Sequence, residues 1–168
     1  MAIIAPILGE IEYELPVTLR VLERVPQDNL DWRPHPKSMT IGKLAWHIAV
    51  VPSRVETMLR QGDFDVAKAG PAEMPRDAKE IPAVLRRNMD SVRAYLGTLD
   101  DDALKARFTL RHGEKVMQQI PKVAVLRSIL LNHTYHHRGQ LSVYLRLLDI
   151  PVPSIYGPSA DEGPSAQG

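Results

Sequence analysis

The chain has 168 residues, 44% of them hydrophobic and 24% charged, a net charge of +1 from 21 basic and 20 acidic residues, and no cysteine. This is one domain's length of ordinary globular composition, with no charge excess to draw nucleic acid or an anionic membrane. The missing cysteines exclude disulfides, thiolate metal sites and cysteine nucleophiles, and no apolar run approaches the ~20 residues of a transmembrane helix. Met1 to Glu10 lack the basic region and cleavage site of a secretory signal, so the cytoplasm is the expected location and a small molecule the expected partner.

Taken in chain order, the apolar spacing is mostly helical. Ile4, Ile7, Leu8, Ile11, Leu15, Leu19 and Leu22 recur at three- and four-residue steps and predict a first helix to about Val25. Pro16 falls inside it, so a kink or break is expected near Glu12. A loop rich in Pro, Asp and His follows from Pro26 to Ser38. Ser38 or Thr40 then caps a second helix, whose inner face is Ile41, Leu44, His47, Ile48, Val51, Val55 and Met58. It ends near Gly62, with a bend expected at Pro52.

From Gly62 to Lys79 the Gly, Pro and mixed charge predict a long loop. A third helix spans about Ile81 to Leu99, with Pro82 in its first turn and Leu85, Met89, Val92 and Leu96 on its apolar face. Arg107 to Arg111 and Lys115 to Met117, around His112-Gly113-Glu114, predict a small β-hairpin. The last helix begins near Pro121 and ends before Pro151. These elements make the chain all-α, a four-helix bundle with a small hairpin before the last helix. Residues 1–155 form a single domain, and 156–168 form a Pro-, Ser- and Gly-rich tail whose final residues are expected to be disordered.

His133-Thr134-Tyr135-His136-His137 is the stretch that points to chemistry. His133 and His137 stand at i and i+4, on one face of a helix and one turn apart, where two imidazoles can close on one metal ion. Steps of about 100° per residue put Leu126, Leu130, His133, His137, Gln140, Tyr144 and Leu148 on one stripe. A mostly apolar stripe faces the bundle interior, and two imidazoles buried without a shared partner would be costly. His47 stands between Leu44 and Ile48 on the inner face of its own helix. Alone it is an ordinary core histidine; with the pair it completes three inward ligands.

The other candidates are weaker. His136 lies about 60° from His133 and about 100° from His137, at the rim or behind the ligands. His35, between two prolines, and His112, at the hairpin tip, are expected to face solvent. Arg138 and Asn132 flank the pair at less buried angles, suited to a salt bridge or helix packing. Trp46 and Tyr135 are packing residues beside the site, and Met39, Met58, Met89 and Met117 are scattered gap-fillers.

Three stretches together resemble the DinB/YfiT-like family of metal-dependent enzymes: Trp32 to Ala49 with Leu44-Ala45-Trp46-His47, Asn132 to Leu141 with His136-His137-Arg138-Gly139-Gln140, and Pro153 to Asp161. The likeness covers nearly the whole chain. It implies an up-down-down-up four-helix bundle, often a homodimer, with a divalent metal on three histidines. By position those ligands are His47, His133 and His137. Beside that, Tyr135, His136, Arg138, Gln140 and Tyr144 are the residues expected behind the ligands or against the substrate. Better understood relatives are thiol-dependent transferases or isomerases.

Three neutral ligands leave the full charge on the ion and a coordination position open, the pattern of a catalytic site. Such an ion polarises a carbonyl or lowers the pKa of a bound water or thiol. Thr134 stands where the metalloprotease motif has its Glu, so a hydrolase here needs another base, which the sequence does not single out; Asp161 or Glu162 could reach the site on a folded-back tail. Thiol chemistry needs no such base. The leading expectation is therefore transfer of a low-molecular-weight thiol to an electrophilic small molecule, with Arg138, Arg33 or Lys37 holding its carboxylates. Metal-assisted hydrolysis and a non-catalytic metal-binding dimeric module are the alternatives. Zinc or nickel is the expected ion, though three imidazoles also suit copper or iron.

Overall fold

The computed structural model describes residues 2–70 and 75–163. Four long helical runs form the bundle. Helix α1 is Ile4–Leu22 and α2 is Ile41–Gln61. Helix α3 is Glu80–Leu96 and the short α4 is Asp101–Lys105. The last run has three parts: α5, Lys122–Val125; a π-helical segment, Leu126–Asn132; and α6, His133–Leu147. Helix α1 lies against α3 and α6, while α2 lies against α3, α6 and the π segment. Among the described residues, no helix is long and apolar enough to cross a membrane.

Each boundary has a local cause. Thr40 is the N-cap of α2, its hydroxyl accepting the Lys43 N–H at 3.2 Å. That satisfies one of the donors a helix start leaves open. Gly62 ends α2 at a φ of 74° with its N–H on the Met58 carbonyl, a left-handed position that costs glycine nothing. Asp100 caps α4 by accepting the Ala103 N–H at 2.8 Å, a helix the sequence reading did not foresee.

No break occurs near Glu12, and α1 runs unbroken through Pro16. Pro16, Glu12 and Tyr13 all face solvent, so the carbonyl left without its N–H partner can bond water instead. Helix α2 likewise continues through the buried Pro52. Side chains take up carbonyls near it: Asn88 Nδ2 donates to Ala49 at 2.9 Å and Ser53 Oγ to Val50 at 2.9 Å.

The loop before α2 is pinned to that helix by backbone bonds from Ile41 N–H to the Trp32 carbonyl and Gly42 N–H to the Leu30 carbonyl. Only glycine fits at 42, because a Cβ there would meet the Leu30 carbonyl oxygen at 2.8 Å.

The hairpin forms as β2, Arg107–His112, and β3, Lys115–Pro121, antiparallel with an irregularity at Leu110/Arg111. A third strand corrects the long loop expected from Gly62 to Lys79. Asp63–Asp65 forms β1 and pairs parallel with β2, Phe64 opposite Leu110. Its ends are tied by side chains. Asp63 pairs with Arg111, and Asp65 Oδ1 accepts the Gly113 N–H of the hairpin turn at 2.9 Å. Three residues, two of them acidic, are too few to show a strand period, so only the docking of β2 reveals this strand. The fully buried Phe108 anchors the sheet to the helices.

The chain after α6 folds back along α1 and α6. Ser159 Oγ donates to the Val152 carbonyl and accepts the Asp161 and Glu162 N–H groups, while Ser154 Oγ donates to the Glu162 carbonyl. The disorder expected at the very end concerns residues 164–168, which lie outside the described residues.

Candidate metal centre

The π segment sets the orientation of the histidine helix. Its bonds run from i to i+5, and the last joins the His133 N–H to the Ser128 carbonyl. Each such turn carries about one residue more than an α-turn, so α6 is rotated relative to a helix of uniform pitch. The buried positions of α6 are consequently Thr134, His137, Arg138, Leu141 and Leu145. His133 and Tyr144 are half-buried and Gln140 is exposed. The histidine stripe therefore lies at the edge of the core, with His137 buried and His133 half-buried, and not at its centre.

Helix α2 brings His47 across to the pair. His47 Nε2 stands 3.4 Å from His133 Nε2, and His133 Nε2 stands 2.7 Å from His137 Nε2. Among the described residues, this trio is the group whose donor atoms could hold a metal ion, all lying within 4.8 Å of one another. Bonds of ~2.0–2.1 Å to a tetrahedral ion would separate imidazole nitrogens by roughly 3.3 Å. The observed 2.7 and 3.4 Å bracket that value. Nε2 atoms turned toward one another need a proton or a cation between them, so the residues present fit a divalent ion.

The surroundings keep the donors neutral. His47 is pushed down to about 4, first by burial and then by the positive charges of His137, His133 and Arg54. Burial also lowers His133 and His137, and His136 adds to both shifts. Gln140 Oε1 lies 2.8 Å from His137 Nδ1. In that arrangement Nδ1 carries the proton and Nε2 keeps its lone pair for an ion, the usual support behind a ligating histidine.

The remaining expected contacts divide. His136 is exposed, its ring 4.9 Å from His137, at the rim of the trio. Tyr144 packs edge-on against Trp32 at 5.7 Å, tying the loop before α2 to α6. Tyr135 turns toward α1 instead, donating to Glu10 Oε1 at 2.8 Å. Burial and that bond raise its phenol pKa. His35 and His112 are exposed, as expected.

Arg138 corrects the sequence reading most. It was expected at a less buried angle, yet it is 1% exposed. Its guanidinium donates to Glu14 Oε2, to Thr18 Oγ1 and to the Tyr156 hydroxyl. Asp161 and Glu162 do fold back, but to arginines: Asp161 pairs with Arg146, and Glu162 with Arg20 and Arg24. Sequence reasoning missed Arg54, although its i+7 spacing from His47 was the available signal.

A family model described as the DinB superfamily matches residues 10–141, most of the chain and all three histidines. The chain belongs to the DinB superfamily. It is 27% identical over 155 residues to the uncharacterized protein YrdA of Bacillus subtilis (strain 168), covering 90% of this chain and 86% of that one. Among solved structures, the DinB fold is shared with a DinB-like protein from Bacillus cereus ATCC 10987. There the TM-score is 0.69 at 25% identity, over 89% of this chain and 95% of that one. The DinB-like protein YjoA from Bacillus subtilis gives a TM-score of 0.67 at 19% identity, over 87% and 96%.

Proposed function

We propose that this DinB chain is a divalent-metal enzyme that transfers a low-molecular-weight thiol to an electrophilic small molecule. The observation that carries the reading is the composition of the trio: three converging imidazoles with no carboxylate in the cluster among the described residues. When bound, an ion on three neutral ligands keeps its full charge and an open position, lowering the pKa of a coordinated thiol or water and polarising an electrophile.

The chain's own residues favour the thiol over water. A water nucleophile is usually served by a nearby base. Thr134 is turned away to donate to the Leu130 carbonyl at 2.6 Å, and Asp161 and Glu162 are held by arginines. A thiol needs no such base once deprotonated, and with no cysteine in the chain it must arrive from solution. His47, His133 and His137 would hold the ion, and Gln140 fixes the tautomer of His137.

The test is metal analysis joined to a transfer assay. The protein loaded with zinc or nickel should bind about one ion, and His47→Ala should lose it. The loaded protein should arylate small thiols with a chlorodinitrobenzene, forming the aryl thioether and releasing chloride, only when the ion is present. Full metal content in His47→Ala would remove the three-histidine site. Ester hydrolysis without thiol, at a rate thiols do not raise, would replace transfer with hydrolysis.

A further inference from the structure

Arg54 brings a permanent positive charge close enough to the trio to act on His47. A divalent ion on three neutral ligands adds two further positive charges. A site of this kind attracts anions and disfavours cations.

Arg54 follows His47 by seven residues on α2, which places it on nearly the same face, about 10.5 Å further along the axis. A side chain of Arg length covers much of that span. Arg54 is half-buried, and among the described residues no carboxylate lies within ion-pair distance of it. Arg60 of the same helix pairs with Glu56, Arg93 of α3 with Glu12, and Arg138 of α6 with Glu14.

Arg54 also lines an open depression of about 230 Å³ with Ser53, Thr57 and Phe64. That is smaller than the roughly 300–1,000 Å³ that holds a drug-sized ligand, and it suits a short charged chain. Of the three other cations expected from the sequence, Lys37 is exposed in the loop before α2 and two are committed elsewhere. Arg138 is sealed in the core, and Arg33 is exposed and donates to the Pro36 carbonyl in its own loop.

We propose that Arg54 is the substrate anchor of the site, binding the carboxylate of a small anionic reactant whose reacting group lies at the histidines. The inference rests on the trio being a reaction centre, and it adds the substrate class: a carboxylated thiol or a carboxylated electrophile. A guanidinium pairs such a group through two parallel N–H bonds, which fixes its orientation as well as its position.

Cobalt-loaded protein provides the test, because a thiol on cobalt gives a charge-transfer absorption independent of turnover. Mercaptoacetate should bind the wild type about tenfold more tightly than the uncharged mercaptoethanol, a charge-assisted pair's worth. Arg54→Ala should bind the two equally, and Arg54→Lys should keep part of the preference. High salt should erode the preference in the wild type and what remains of it in Arg54→Lys. Monomethyl fumarate against dimethyl fumarate, read by quenching of tryptophan fluorescence, asks the same of the electrophile.

A carboxylate preference that depends on Arg54 in either pair supports the anchor and says which reactant carries the charge. Equal preferences in wild type and both variants, with circular dichroism unchanged, overturn it. If neither thiol gives a cobalt band while the fumarate preference still depends on Arg54, thiol transfer falls and the anchor stands.

Discussion

Arg138 Nη1 lies 2.6 Å from Glu14 Oε2, and the two side chains are only 2% and 11% exposed. The pair joins α6 to α1 immediately beside His137. Thr18 Oγ1 accepts a second Arg138 bond at 2.9 Å, and the Tyr156 hydroxyl donates to Glu14 at 3.1 Å. The guanidinium also stands 5.2 Å from the Tyr135 ring centroid and 5.0 Å from that of Tyr156. Each charge is thus surrounded by partners that replace water.

Removing one member should leave the other buried and unpaired. Arg138→Met or Glu14→Leu alone is expected to cost about 3–5 kcal/mol, whereas the double variant should cost much less than the sum. Urea unfolding of the four proteins measures this. Additive losses would mean that the two charges do not depend on each other.

Gln140 predicts a different kind of loss. Gln140→Leu removes the acceptor behind His137 Nδ1 while leaving the three Nε2 donors in place. Metal affinity should fall about 10- to 100-fold, with little change in melting temperature because the side chain is exposed. Competition against a chromogenic chelator gives the affinity. An unchanged constant would show that His137 is oriented by its helix alone.

The lowered imidazoles make the metal-free protein acid-sensitive. Unfolded histidines take up protons near their ordinary 6.5, but folded His47 does so only near 4. His133 and His137 are shifted in the same direction. Between those values the unfolded chain binds more protons, so stability rises with pH and is lost as pH falls from 6.5 toward about 4. Urea midpoints of the metal-free protein should drop between about pH 7 and pH 5, above the range where Glu10 and Glu56 begin to protonate. His47→Leu should flatten the profile; equal slopes in both proteins would deny the shift.

Tyr156 tests the fold-back of the tail. Its hydroxyl is shared between Arg138 and Glu14, although much of the ring is exposed. Tyr156→Phe should cost roughly 1.5–3 kcal/mol, near the lower end because water can partly replace the hydroxyl. Arg146→Ala, which breaks an exposed pair with Asp161, should cost under about 1 kcal/mol. A larger loss for Arg146 than for Tyr156 would place the tail's anchorage in its surface pairs.

Periodicity was enough for the long helices, because Leu, Ile and Val at three- and four-residue steps can bury one face in only one way. The two short runs flanking His112-Gly113-Glu114 likewise marked the hairpin. The trio was legible in part. The i, i+4 spacing of His133 and His137 is a property of helical geometry alone, and His47 sat visibly among core residues. Strand β1 was illegible because Asp63, Phe64 and Asp65 acquire a partner only when β2 arrives from far along the chain.

The sequence by itself determined that this chain is a helical bundle carrying three histidines on inner-facing positions, since local spacing dictates which side chains share a face. Tertiary structure alone decided what those positions are worth. A π-helical segment, invisible in a uniform 100° wheel, rotated α6 so that Arg138 entered the core and the histidines came to its margin. Charge pairing is equally nonlocal. Glu14 for Arg138, arginines for Asp161 and Glu162, and no described carboxylate for Arg54 follow from which helices meet.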